Sequence, residues 1–438
     1  MNRRQAALDR ERMLRDMQRD SFDYFVHEVN PANGLVCDKT ASPWPASIAA
    51  VGMGLTVYPI GVERGLMRHT DALRMTLTAL RFLMASEQSE APDATGYKGL
   101  YYHFLDMQTG RRAWNCELSS VDTALLMAGV LTAREYFTSD AADERELRDL
   151  ADALYARVDW RWLQDERLVL CHGWTPERGF LRWRWHGYDE SLILHALGLG
   201  STTHPLADGA YDAWTATFEW RSVEGIEYLH ARSLFIHQMS HLWLDLRGLR
   251  DAFMRAHDSD YAENSRRAAF VQQRYAIRNP QRCSMYGEYA WGITACDGPG
   301  ARARGQRLAG RTYYDYVARG VPDGPDDCTL APWAVVASLP FAPDIVLPTI
   351  EHFRVLQLHT GNRYGFKASF NATYPADRHH AVGWVSPYHF GINEGPTVLA
   401  IANHLDDAVW RLTRRSAPLV RGLRRAGFAG GWLDAAPP

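Results

Sequence analysis

Helical periodicity dominates the chain. Between residues 5 and 28 the apolar side chains Leu8, Met13, Met17, Phe22 and Phe25 recur among charged neighbours, which predicts an amphipathic helix with one buried face. Comparable patterns predict helices over about 46–64, 70–86, 119–138, 143–158, 189–199, 208–219, 234–246, 258–275, 329–338, 344–359 and 393–413. Residues 47–62 are the most apolar of these. Gly52, Gly54 and Pro59 interrupt them, and they fall short of the roughly 18 apolar residues of a membrane span, so they read as a core helix. Residues 168–188 differ: short strand-like runs surround the turn Pro176-Glu177-Arg178-Gly179.

About twelve helices with no βαβ alternation, no G-x-G-x-x-G and no Walker-type loop exclude a nucleotide-binding α/β fold. No Pro- or Ser-rich linker divides the chain and no short repeat stands out. The expectation is therefore one domain over residues 1–438, all-α, with residues 1–30 an outer helix. A double ring of six inner and six outer helices, an (α/α)6 barrel with short β-hairpins in its loops, suits the count; a right-handed stack of helical repeats is the competitor.

Composition is that of a globular protein, 46% hydrophobic and 23% charged. Aromatics are abundant, with 15 Trp, 20 Tyr and 16 Phe, which fits either a large core or a cleft in which rings stack on sugar faces. Net charge is −3 without a basic block, which argues against nucleic acid; the Arg-rich run 411–425 reads as a solvated helix face. Six cysteines lack CxxC spacing, so a zinc knuckle or redox motif is not expected. They are too sparse for a disulfide framework, and a reducing compartment is the simpler expectation. The charged start Met1-Asn2-Arg3-Arg4 has no apolar run after it, so the sequence as it stands reads as cytoplasmic, or as periplasmic if its start has been trimmed.

Three segments combine acids, aromatics and small residues. In Trp114-Asn115-Cys116-Glu117-Leu118-Ser119-Ser120-Val121-Asp122, Glu117 precedes a helix and Asp122 lies in its first turn, on a face with Leu118 and Leu125. Ser119-x-x-Asp122 is either a capping box or part of a site. In the second segment Trp174, Trp183, Trp185 and Tyr188 lead to Asp189-Glu190 at a helix start. Asp189 could be an N-cap, yet the aromatic approach suggests a carboxylate beside a sugar-stacking wall. In the third, His237 and His241 are four apart without the glutamate of H-E-x-x-H, so they read as hydrogen-bonding or core histidines rather than zinc ligands, and Asp245 and Arg247 as structural partners. Asp297 and Glu394 each stand in a Gly-Pro turn. Separated carboxylates, with no G-x-S-x-G elbow, point to glycoside chemistry.

Taken together, residues 47–52, 58–65, 102–106, 117–129, 173–204, 235–251, 292–299, 331–332, 338–341 and 391–403 resemble the glucoamylase-like family. That family includes bacterial endo-β-1,2-glucanases and the transglycosylase domain of cyclic β-1,2-glucan synthases. The resemblance implies an (α/α)6 barrel and hydrolysis of β-1,2-glucan, with endo-cleavage expected. β-1,2-Glucan transglycosylation and non-hydrolytic glucan binding are the alternatives. It implies Glu190 as general acid, with Asp122 and Glu117 as further catalytic carboxylates. Trp185, Tyr188, His204, His237, Gln238, Asp297 and Glu394 are expected to hold an oligo- or polysaccharide. No metal or cofactor is expected. The chain departs from the family at Ile392-Asn393-Glu394-Gly395-Pro396, where I-D-Q-G-P is common.

Overall fold

The computed structural model describes residues 3–301, 305–375 and 382–435. Among these are fourteen α-helices: α1 (Arg3–His27), α2 (Ile48–Glu63), α3 (His69–Ala85), α4 (Ser120–Tyr136), α5 (Ala142–Ala156), α6 (Leu192–Gly200), α7 (Ala210–Thr215), α8 (Ala252–Ala256), α9 (Tyr261–Arg278), α10 (Pro332–Ala337), α11 (Pro343–Val355), α12 (Gly391–Asp406), α13 (Ala408–Thr413) and α14 (Ala417–Arg425). The fold is helix-rich, with short strands in the connecting segments.

Two kinds of helix alternate, and their sequences say why. α2, α4, α6, α10 and α12 are apolar or small almost all round and are buried along nearly their whole length. Their partners α1, α3, α5, α9 and α11 carry a polar face that stays in water. α2 lies between α4 and α12, α4 reaches α6, and α12 reaches α10; outside them, α3 lies on α2, α5 on α4, α1 on α12 and α11 on α10. α2 and α4 cross so closely that a Cβ on Gly129 would stand 2.1 Å from the Gly52 carbonyl oxygen, so only glycine fits at this crossing. α1 buries Leu14, Met17, Phe22 and Phe25 and anchors to α12 through Gln18, whose amide donates to the Val398 carbonyl at 2.9 Å; Leu8, nearer the free end, is exposed.

Four expectations need correction. Residues 234–246 are not an α-helix but a run of tight turns with a 3₁₀ turn at Ser240–Leu242. Neighbours claim their polar groups: Phe235 N–H goes to Thr294 Oγ1, and the Ser240 hydroxyl serves the start of α6. The 393–413 helix divides at Asp407, which takes a left-handed φ of 56° while Asn403 Oδ1 accepts the Val409 and Trp410 N–H groups. The 411–425 run is not a simple solvated face. α14 buries Leu419, Val420 and Leu423, and Arg421 and Arg425 donate to the Gly200 and Leu199 carbonyls at the C-terminus of α6. Finally, Cys283 and Cys328 form a disulfide with Cα atoms 5.3 Å apart, leaving Cys37, Cys116, Cys171 and Cys296 free. A single bridge across long sequence separation has no spacing signature.

One small antiparallel sheet positions the site. Its order is Gly96–Tyr97, Leu100–Tyr102, Leu118–Ser119, Gly173–Thr175, Gly179–Phe180. The last two strands form the hairpin that the turn at 176–179 predicts. No described helix is long and apolar enough to cross a membrane.

Candidate active site

The central strand Leu118–Ser119 runs directly into α4, so Glu117, Ser119 and Asp122 sit where sheet becomes helix. Ser119 Oγ accepts the Asp122 N–H at 3.2 Å and donates to Asp122 Oδ2 at 2.6 Å. The cap and the site are thus one structure: the serine satisfies a free helix N–H and aims the buried carboxylate. On one side, His103 follows strand Leu100–Tyr102, and its N–H donates to the Glu117 carbonyl at 3.0 Å. His103 Nδ1 lies 2.9 Å from Glu117 Oε1, and Nε2 lies 3.7 Å from Asp122 Oδ2. On the other side, a Cβ on Gly173 would meet the Leu118 carbonyl oxygen at 2.4 Å and Glu117 Cγ at 3.1 Å, so glycine there leaves Glu117 its place.

Glu190 enters from α6. It lies in the turn before Leu192, and its carbonyl accepts the Ser240 hydroxyl at 3.0 Å. The next-door Asp189 is buried; its Oδ1 accepts the Ser191 N–H at 3.0 Å, fixing the turn. Glu190 itself is only partly open to solvent. That setting pushes its carboxyl up to about 8: loss of water is the largest cause, and the negative charges of Asp189 and then Asp122 add to it. These outweigh the helix N-terminus, which favours the ionised form. Asp189 rises to about 6, through burial.

Glu117 moves the other way. Burial raises it, but the hydrogen bond and charge of His103 win and hold it below the ordinary glutamate range. His103 rises to about 9; burial opposes this, and the charges of Asp122, Glu117 and Asp38 overcome it. Ligand atoms of His103, Glu117 and Asp122 lie within 4.8 Å of one another, compact enough for a cation. A protonated His103, favoured by its raised pKa, would supply such a positive charge itself.

Several surroundings had no sequence signal. Asp38 is buried, accepts the Trp44 indole N–H at 3.0 Å and is raised by that burial. Lys39 lies 4.1 Å from the centre of the Tyr388 ring. A cavity of about 920 Å³ is lined by Lys39, Trp44 and Trp114 among others, but not by His103, Glu117, Asp122 or Glu190. Trp114, Trp183 and Tyr316 are among the exposed large side chains, and Tyr316 feels the charges of Asp38, Asp297 and Asp122. His103 was visible only inside the segment Tyr102-His103-Phe104-Leu105-Asp106; Asp38 and Tyr316 lie in loops whose sequence is unremarkable.

Glu117, Asp122 and Glu190 therefore come together. The expected sugar-binding residues do not join them in an open surface. Trp185 is buried, stacks on His172 at 3.8 Å and donates its indole N–H to Ser120 Oγ at 3.0 Å. Tyr188 is buried among Phe218, His237 and Tyr261. His237 is buried, 3.2 Å from the Ala231 carbonyl, and burial drives it down to about 3, so it is neutral. Gln238 clamps α10 by donating to the Ala334 carbonyl at 2.6 Å and to Ser338 Oγ at 2.8 Å. Asp297 is buried and accepts the hydroxyls of Ser369 and Ser386 at 2.8 and 2.7 Å. Glu394 lies not in a Gly-Pro turn but in the first turn of α12, where it is buried against His389 at 2.7 Å. His204 is exposed beyond the C-terminus of α6, the opposite end from Glu190. Of the residues expected to hold sugar, all but His204 are buried in this structure and bonded or packed within the protein.

A helix-rich scaffold carrying a protonated glutamate beside further carboxylates and exposed rings is the arrangement of carbohydrate-active enzymes. Residues 182–417, more than half of the chain, match the Glycoamylase family model, described as "Putative glucoamylase", and the chain belongs to that family. An exo β-1,2-glucooligosaccharide sophorohydrolase (non-reducing end) from Parabacteroides distasonis is 25% identical over 95% of this chain; the chain spans 58% of that protein's length. A crystal structure from Bacteroides fragilis, under the same family description, superposes with a TM-score of 0.83 at 27% identity, covering 96% of this chain and 98% of that one. An endo-β-1,2-glucanase from Chitinophaga pinensis, solved with sophorotriose and glucose, has the same fold: TM-score 0.83, 21% identity, 96% and 99% coverage.

Proposed function

We propose that the protein is a glycoside hydrolase that cleaves β-1,2-linked glucan internally, with Glu190 as the general acid. The observation that carries this reading is a partly exposed Glu190 carboxyl held neutral near pH 7 by loss of water and by the charges of Asp189 and Asp122, with Asp122 joined through His103 to Glu117. Glu190 donates its proton to the glycosidic oxygen as that bond breaks. Glu117, held ionised, acts at the anomeric carbon, either directly or through a water from which it takes a proton, with Asp122 beside it. This chemistry needs no metal. Substrate class follows the sophorohydrolase relative, and hydrolysis is favoured over transfer or simple binding because that relative is a hydrolase. Internal cleavage is supported by exposed rings on both sides of the carboxylates: Trp114 beyond Phe104, 5.1 Å between ring centres, and Trp183 beyond His172, whose N–H donates to its carbonyl.

The same reading makes the scaffold an (α/α)6 barrel and residues 1–438 one domain. The inner ring would be α2, α4, α6, the turns around Ser240, α10 and α12. Its supports are the α2–α4, α4–α6, α10–α12 and α12–α2 contacts, together with the bridges from Ser240 to Ile193 and from Gln238 to Ala334. A main hydrophobic cluster running from Leu14 to Leu433, beside a small one of Val223, Tyr228, Ala268 and Val271, supports the single domain. The Cys283–Cys328 bridge supports an oxidising compartment, such as a periplasm, over the cytoplasm.

The test is incubation with linear and cyclic β-1,2-glucans and chromatography of the products. A ladder of oligosaccharides, with reducing ends rising in step, is the expected result. Release of disaccharide alone would make the enzyme exo-acting, longer products would make it a transferase, and binding without turnover would end the enzyme reading.

A further inference from the structure

We propose that His103 is a positioning residue of this site, an imidazolium bridge that holds Glu117 and Asp122 in their working places. The proposal rests on the hydrolase reading for its kinetic consequences, but the bridge is a property of the free protein.

The geometry is specific. Each ring nitrogen faces a different carboxylate, Nδ1 at 2.9 Å from Glu117 and Nε2 at 3.7 Å from Asp122. The 2.9 Å contact is a hydrogen bond, whereas 3.7 Å is an ion-pair separation beyond hydrogen-bond reach; with Nδ1 bonded to Glu117, only the doubly protonated ring carries the positive charge that attracts Asp122 as well. The ring cannot easily turn away, because it stacks on Phe104 with centres 3.9 Å apart and planes 13° apart. Phe104 is in turn fixed by strand pairing with Ser47 at the start of α2. His103 and Glu117 are also joined through the backbone, so the sheet sets the spacing before the side chains meet.

The charges around the ring come from every element packed there. Asp122 is on α4, Glu117 on the strand before it, and Asp38 on the segment after α1, with Lys39 beside it. His172 faces Glu117 from the neighbouring strand, and burial lowers it, so it is a weak substitute for the missing cation. Without His103, Glu117 and Asp122 would confront each other and Asp38 with no positive group between them. Glu117 would then swing toward water or take up a proton, and either event removes the ionised carboxylate from the reaction. Neither function nor capping accounts for the double contact otherwise, since Ser119 already caps α4.

The test uses the intact protein. Imidazole nitrogen–proton correlation spectra of the free enzyme at pH 7.5, assigned with His103→Gln, should show both His103 nitrogens protonated. A neutral ring at that pH overturns the proposal, whether or not the protein cleaves glucan. His103→Gln should lower kcat by about 10- to 100-fold with little change in KM, as a misplaced catalytic group does. The acidic limb of kcat/KM should move upward by about one pH unit as Glu117 loses its cation. His103→Lys, which restores a charge, should recover part of kcat and return the limb toward its original position. A folded His103→Gln enzyme with wild-type kcat and pH profile overturns the proposal. If His103→Gln does not fold, His103→Lys and the wild-type spectra decide it. Failure of the wild-type protein to act on any β-1,2-glucan removes the hydrolase reading and leaves the spectral result standing.

Discussion

Ser240 and Glu190 are joined by one hydroxyl: Ser240 Oγ donates to the Glu190 carbonyl at 3.0 Å and accepts the Ile193 N–H at 3.1 Å. The turn that aims Glu190 and the first turn of α6 are therefore held from a neighbouring segment. Ser240→Ala removes both bonds and leaves a buried helix N–H without a partner. The expected cost is about 1–2 kcal/mol by denaturant unfolding. In kinetics, kcat should fall by about tenfold while KM stays near its original value, because the acid loses its aim and the sugar contacts do not change. An unchanged kcat would show that Glu190 is positioned by other means.

Glu190→Gln should reduce kcat by about 10²–10⁴-fold, the usual contribution of a general acid. In the wild-type enzyme, activity should fall as pH rises through about 8, where Glu190 loses its proton. Stability should follow the same group in an unusual direction. Its folded-state pKa lies above its unfolded value, so the folded state binds the proton more tightly, and stability is lost as pH rises through about 8. Above that pH, Glu190→Gln should melt higher than wild type; an equal or lower Tm at pH 9 contradicts the burial of the charge.

The bridge between Cys283 and Cys328 closes a sequence separation of 45 residues. Thiol titration of the unfolded, non-reduced protein should count four groups and, after reduction, all six cysteines. Cys283→Ser together with Cys328→Ser should lower stability by about 2–4 kcal/mol. Six thiols before reduction would remove the support for an oxidising compartment.

Arg319 and Asp327 form an ion pair with no exposed side-chain surface, 2.8 Å apart, and Arg319 also donates to the carbonyls of Cys296, Tyr314 and Asp315. The pair thereby fixes the loop that carries Tyr316. Its charge and hydrogen bonds hold Asp327 below the usual carboxylate range, against the burial that raises it. Asp327→Asn strands the guanidinium and should cost about 3–5 kcal/mol. In the protein that remains folded, KM should rise before kcat falls if the exposed Tyr316 ring, which lies near Asp38 and Asp122, holds sugar. Calorimetry and initial rates at one temperature below the transition separate the two effects.

How much of this was legible beforehand differs from residue to residue. The helices announced themselves where apolar spacing was long and regular, as in α2, α4 and α9. The pattern failed at 234–246, where an equally apolar stretch spends its polar groups on α6 and α10 instead of on itself. Glu117, Asp122 and Glu190 stood out through their aromatic and small neighbours and the resembled family's motifs, since an acid at a helix start is by itself explained by capping. Trp185 and Tyr188 carried the same local signal, yet both are buried, Trp185 against Ser120 and His172 and Tyr188 among Phe218, His237 and Tyr261. Linear proximity does not distinguish a wall of the cleft from its foundation.

The sequence by itself determined most of the helical segments, though not the turns at 234–246 or the break at Asp407, and it singled out the three acids. Those properties depend on residue type and spacing along one element. Tertiary structure alone decided that His103 and Asp38 share the acids' neighbourhood, that Cys283 pairs with Cys328, and that Glu190 keeps its proton while Glu117 gives its up. The reason is electrostatic: a carboxyl's charge state depends on the water it loses and the charges that fold in beside it, and both are set by residues far away in the chain.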